Sequence, residues 1–321
     1  MRPAISLVVK SAFRGPLALW RGRGVPIARG RMLAIATMIL LSSLSAGCGA
    51  FGSGRQITIE HMGWDENVAV SNLSKVLLEE ELGYRVNLKL ANKLDAVFPA
   101  VAEGDSDVFQ DVWMPNHKQL LEEVKGDVEH LQPWFRGKTS YGIAVPDYMK
   151  IDSVAELQNS GTDKIIGIEP RAAFHPQITE KVIPAYDLDV VLVESSTRAM
   201  LSEWDQAYEY EEPIAFLAWS AHWMNGRYDF HYLEDPKDAQ GVFNDPAKIS
   251  SIVNRDYAER DSTAYGFLNA LSLSEDDLIQ LEVLINEQGS KEPMKGVRAW
   301  LEENRDTVQP WIDAARDAEN S

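Results

Sequence analysis

A single cysteine, Cys48, stands in the 321 residues, so no disulfide can form within the chain and the fold must rest on its apolar core. Histidine is scarce as well. The six, His61, His117, His130, His175, His222 and His231, lack the paired spacing of a zinc site, so neither metal nor thiol chemistry is expected. Also missing are a glycine-rich phosphate loop, a dinucleotide fingerprint and a serine in a nucleophile elbow, which removes the commonest enzyme templates. Positive charge is short too, with 31 Lys and Arg against 49 Asp and Glu for a formal net charge of −18. Seven of the cations lie before Met32, where no acid stands, so the remainder carries about −25. Such a balance argues against a nucleic-acid partner, whose phosphates need clustered Lys and Arg.

The mostly apolar run Met32 to Leu44 has 13 residues, short of the roughly 20 that span a bilayer. Behind its basic leader it reads as a signal-peptide core, with 1–47 as the leader. The run ends in Leu44-Ser45-Ala46-Gly47-Cys48. Small residues before a lone cysteine resemble a bacterial lipoprotein processing site, which implies lipidation of Cys48. The leucine stands four residues before the cysteine, where that pattern prefers three. An ordinary secretory cleavage beside a chance cysteine is the plainer alternative. Residues 48–56, with their glycines and serine, suit a flexible tether.

Beyond the tether, strand and helix signals alternate in the manner of a parallel sheet. Ile57 to His61 reads as a strand, and Asn67 as the cap of a helix over Val68 to Leu82. Tyr84 to Leu90 follows as a strand, Leu94 to Glu103 as a helix, and Ser106 to Val112 as a strand. Pro115 suits the first turn of a helix over Asn116 to Val124. Tyr141 to Pro146 is expected to cross between lobes. A second set then runs through strands Lys164 to Ile168, Val190 to Val193 and Ile214 to Ala218, with Ser153 and Ser195 as helix starts. The return crossing falls around Asp235-Pro236, and Ile249 to Val253 is a further strand. Helices are predicted over Thr263 to Leu271, Glu275 to Gln288 and Pro293 to Ala315. The expectation is an α/β clamshell of two lobes, each a mainly parallel sheet flanked by helices, with two hinge crossings. Its first lobe spans 57–140 and 236–321, and its second 141–235.

Three tryptophans, Trp64, Trp113 and Trp219, fall at strand ends, where open α/β folds place their ligand crevices. Aromatic faces suit a quaternary ammonium, a diffuse cation with no N–H to donate, at about 0.5–2 kcal/mol for each contact. The motifs Gly63-Trp64 with Glu66-Asn67-Val68-Ala69, Asp107 to Phe109 with Trp113-Met114-Pro115, Gly142 to Pro146, Gly167 to Pro170, Val193 to Ser196 and Trp219 to Met224 occur in that order. Together they resemble the glycine betaine and choline substrate-binding proteins of bacterial ABC importers, over about 57–315. The resemblance implies a box of Trp64, Trp113 and Trp219 with Tyr141 as a fourth wall. It implies further a small quaternary ammonium ligand, a permease with its ATPase as partners, no cofactor, and a lipid-anchored monomer outside the cytoplasm.

The remaining tryptophans of the body, Trp134, Trp204, Trp223, Trp300 and Trp311, have apolar neighbours at helical spacing and read as packing residues. His222 is placed to donate to a ligand carboxylate, or to cap a helix. Glu66 sits where choline-binding relatives carry an acid; its plainer role is a charge in a helix's first turn. Asp111 is read as orienting Trp113 or facing the cage, against a solvated strand-end acid. Arg171 stands where the family has glycine, and would pair with a carboxylate and so favour a betaine. A rival class is a secreted carbohydrate-active hydrolase with a tryptophan-lined cleft, for which Glu66, Asp111 and Glu169 supply candidate acids.

Overall fold

The computed structural model describes residues 55–170, 172–288 and 292–320. Ten strands follow in chain order: β1 (Gln56–His61), β2 (Arg85–Leu90), β3 (Val108–Met114), β4 (Val128–His130), β5 (Tyr141–Pro146), β6 (Lys164–Ile166), β7 (Val191–Val193), β8 (Ala215–Trp219), β9 (Phe230–Tyr232) and β10 (Lys248–Asn254). They form two five-stranded sheets, ordered β2-β1-β3-β10-β4 and β7-β6-β8-β5-β9. The two orders are the same pattern.

Within each sheet the three strands on one side are parallel and the last two pairings antiparallel. Both sheets are therefore mixed, where the alternation of strand and helix signals led us to expect mainly parallel ones. The antiparallel strands β5 and β10 are those reached after the chain passes from one lobe to the other. Tyr141–Pro146 accordingly belongs to the second sheet, and the crossing itself lies before it. The two crossings are tied side by side: Thr139 Oγ1 donates to the Ala247 carbonyl at 2.7 Å and accepts from the Ala247 N–H at 2.5 Å.

Burial explains the strand patterns. Along β3 and β8 almost every residue is buried on both faces, as expected of central strands covered by helices. The five tryptophans read as packing residues are all buried, Trp134, Trp204 and Trp300 almost completely. Trp204 packs against Phe216 with ring centroids 4.0 Å apart.

Several boundaries differ from the sequence reading. The helix after β1 runs Asp65–Glu80, starting ahead of Asn67. Asn67 Oδ1 instead accepts the Met62 N–H at 2.8 Å, bracing the turn that leaves β1. The segment after β3 is helical only over Lys118–Val124. Ser196, one residue past the expected Ser195, caps the helix Thr197–Tyr210. The predicted helix Pro293 to Ala315 is two, Pro293–Glu303 and Arg305–Glu319. Asn304 ends the first by donating its side-chain amide to the Trp300 carbonyl at 2.9 Å, a bond that satisfies a helix-end acceptor. Gly296 lets this helix approach closely, because a Cβ there would lie 2.5 Å from the Ile285 backbone.

Candidate functional site

Trp113 is the next-to-last residue of β3, and Asp111 lies two before it. The two-residue period of a strand puts both side chains on one face. Trp113 Nε1 donates to Asp111 Oδ1 at 2.7 Å. Trp219 ends β8, directly opposite Tyr141, the first residue of β5. Trp64 follows Gly63, whose φ of +94° makes the turn out of β1. These four rings, with Glu66, Asn116, His117, Ile168, Ala172 and Ala173, line one pocket of about 390 Å³ that includes its open mouth.

The rings are held from behind. Trp113 and Tyr141 meet at 6.2 Å and 54°, and Tyr141 leans in turn on Phe174 at 5.2 Å and Phe243 at 5.8 Å. Two of the indoles are seated by the opposite lobe. Trp64 Nε1 donates to Glu169 Oε2 at 3.0 Å, and Trp219 Nε1 to Glu66 Oε2 at 2.9 Å. The hydrolase reading needs Glu66, Asp111 and Glu169 as its acids, yet each of the three is engaged by an indole.

The pocket is backed by buried acids. Burial pushes the Asp111 carboxyl up to about 7. Glu66 is raised well above the carboxylate range, by burial first and then by the neighbouring Asp111 charge. Behind them Glu282 is raised by burial and by the charges of Asp65 and Glu66. Burial drives His117 down to about 3, so its imidazole is neutral. The His117 Nδ1 accepts the Trp113 N–H at 3.1 Å, which leaves the ring proton on Nε2. Asn116 Oδ1 is buried without a partner.

His222 does not join the pocket. Its Nδ1 accepts the Met224 N–H at 3.1 Å, capping the turn Trp223–Gly226, and its Nε2 therefore donates to Asp65 Oδ2 at 2.7 Å. Both nitrogens are committed, so of the two roles expected for His222 the structure shows the cap. Arg171 and Cys48 lie outside the described residues.

The sequence family of the substrate-binding domain of ABC-type glycine betaine transport systems matches residues 55–303. The chain belongs to this family. Among its relatives, a glycine betaine/carnitine transport binding protein, GbuC, of Listeria monocytogenes is 30% identical over 138 residues, 42% of this chain and 44% of that protein. The match thus spans less than half of that relative's length. A lactococcal OpuAC in its closed conformation with glycine betaine superposes with a TM-score of 0.72 at 28% identity, over 80% of this chain and 99% of that one. A choline-binding protein of an ABC transporter, in an unliganded semi-closed conformation, gives 0.69 at 25% identity, over 80% and 91%.

In this member of the family the four expected rings share one pocket with Asn116 and His117, which were not among the residues expected there. Both sit on the turn that leaves β3, immediately after Trp113-Met114-Pro115. A turn at the carboxyl end of a strand faces the crevice as Trp113 does, so its residues belong to the same wall. Glu169 was expected as a hydrolase acid and as part of the motif Gly167 to Pro170, with no partner assigned to it. Nothing in its sequence neighbourhood foretells that it meets Trp64, 105 residues away.

Proposed function

We propose that this chain is the extracytoplasmic receptor of an ABC importer that captures a quaternary ammonium solute, glycine betaine, choline or a close relative, and delivers it to a permease worked by an ATPase. It is anchored through a lipidated Cys48 and acts as a monomer. Residues 57–140 with 236–321 make one lobe and 141–235 the other, and the ligand sits between them. The reading is carried by one observation: three indoles and a phenol, drawn from both sheets, line a single acid-backed pocket.

A methylated ammonium has no N–H to satisfy, so ring faces hold it without a hydrogen bond to lose. Four faces at about 0.5–2 kcal/mol each supply a large part of the roughly −8 kcal/mol of micromolar binding. Strongly hydrated ammonium ions give up more water on entry and are disfavoured. The ligand's remaining polar end meets Asn116 and the neutral His117 at the same wall. The bonds from Trp64 to Glu169 and from Trp219 to Glu66 join the lobes, so they are made only as the clamshell closes and add to the closed side of the equilibrium.

Titration calorimetry with glycine betaine, choline, carnitine and proline tests the reading. At least one methylated compound is expected to bind and proline to compete poorly. The Trp113→Ala protein, folded by circular dichroism, should bind that compound about thirtyfold more weakly or worse, from about 2 kcal/mol of lost ring contact. Wild-type affinity in that variant contradicts the cage.

A further inference from the structure

Each of the three cage indoles gives its N–H to a carboxylate. Trp64 meets Glu169 at 3.0 Å, Trp113 meets Asp111 at 2.7 Å and Trp219 meets Glu66 at 2.9 Å. Two of these acids are almost wholly buried, Glu66 at 2% exposure and Asp111 at 0%. Among the described residues no Lys or Arg pairs with either of them. The second oxygen of Asp111, Oδ2, is buried with no hydrogen-bond partner at all. Nor do the acids converge on a metal: no group of three or more His, Cys, Asp or Glu able to hold an ion occurs among the described residues.

If fixing a ring were the whole purpose, an amide would serve. The carbonyl of Asn or Gln accepts an indole N–H in the same geometry and is far cheaper to bury than a charge. Burial holds such an acid largely protonated while the pocket is empty, and a cation entering the cage in front of it favours the ionised form. A carboxylate at the indole N–H also draws that bond tighter and pushes electron density onto the ring, which deepens the attraction of the ring face for a cation.

We propose that Glu66, Asp111 and Glu169 are positioning residues that tie the three indoles in place and, through their charge, make the cage select a cation over a neutral molecule of the same shape. This rests on the quaternary-ammonium reading above and adds to it the origin of the charge selection. Asp111 and Glu169 stand behind the pocket wall, whereas Glu66 also lines the pocket. They act through the rings and through the field behind them.

Matched pairs of probes separate shape from charge. Choline is compared with 3,3-dimethylbutan-1-ol, and glycine betaine with 3,3-dimethylbutanoate, in which carbon replaces the quaternary nitrogen. Wild-type protein is expected to favour the nitrogen compound of at least one pair by more than about tenfold. Asp111→Asn, Glu66→Gln and Glu169→Gln keep the acceptor for the indole and remove the charge. Each should weaken the cationic probe by about three- to tenfold while shifting the carbon analogue by less than about twofold. Asp111→Leu, which unties the Trp113 ring, should weaken both probes together. Amide variants that hold the wild-type ratio of the two affinities overturn the proposal, whether both affinities fall equally or neither moves. Three variants at separate positions keep the test open if one of them folds poorly. Wild-type protein that binds neither choline nor glycine betaine overturns the receptor reading, and this inference with it.

Discussion

In the first sheet the exits of β1 and β3 carry Trp64 and Trp113; in the second, the equivalent exits of β6 and β8 carry Glu169 and Trp219. Trp64 and Glu169 each stand three residues beyond the last residue of the corresponding strand, and they are hydrogen-bonded to each other. The lobes thus share a scaffold and differ at the exits in a complementary way. Where one lobe offers an indole, the other offers its acceptor, and Trp219 with Glu66 repeats the exchange in the opposite sense. A fold built twice becomes a single site because its two copies are unlike where they meet.

The largest effect expected from breaking this comparison lies in the cores behind the exits. The second lobe's core turns on Trp204, which packs on Phe216 at 4.0 Å and on Tyr208, Tyr228 and Phe230 at 5.4–5.7 Å. The first lobe spreads the same task over Phe98, Phe109 and Trp134. Trp204→Ala should cost about 3–5 kcal/mol, read as a lower midpoint in urea unfolding. An unchanged midpoint would show that the two cores share the load more evenly than the packing indicates.

A smaller effect tests the two cross-lobe bonds against each other. Trp219→Phe and Trp64→Phe keep an aromatic face and lose the N–H. Removing the donor to Glu66 takes a bond from a carboxylate only 2% exposed, which keeps a backbone hydrogen bond, whereas the less buried Glu169 keeps the N–H of Thr197 at 3.0 Å and its hydroxyl at 2.8 Å. Trp219→Phe should therefore weaken binding by about tenfold and Trp64→Phe by about threefold, because a lost bond costs more at a deeply buried acceptor than at a partly exposed one that keeps two others. Equal losses in calorimetry would mean that burial does not separate the two acceptors.

Much of this was legible in the sequence, and the remainder fails for physical reasons. Two-residue and helical periodicities mark the strands, and strand ends mark crevices, so Trp64, Trp113, Trp219 and Tyr141 come from local pattern and family motif. Partners across the clamshell do not, because nothing local to Glu169 or Asp65 records which lobe will face them. His222 shows the limit well: its position three residues past Trp219 suggested either a ligand donor or a cap, and the cap prevails because Asp65, far off in sequence, takes its one N–H. The antiparallel placement of β5 and β10 is likewise settled by where the chain re-enters each sheet, which periodicity does not encode.

The smallest expected effect concerns pH, and its sign follows from the acids behind the rings. Asp111, raised to about 7 by burial, faces Glu66, itself raised, with Asp65 and Glu282 beyond. His117, at about 3, and His175, also lowered by burial, stay neutral, and Tyr141 is lifted above its usual value by burial and by the charges of Glu66 and Glu169. In the empty protein the folded state holds the Asp111 proton to higher pH than the unfolded chain does. The stability this contributes is full below about pH 4 and is lost as pH rises through about 7. A bound cation favours the ionised carboxyl and offsets that loss. Affinity for the methylated ligand should thus rise by about threefold from pH 5.5 to 8, with a larger ligand-induced rise in Tm at the higher pH, and Asp111→Asn should flatten both trends. If the wild-type affinity falls over that range instead, the charge in the cage has the wrong sign, and the difference between the lobes' exits concerns geometry alone.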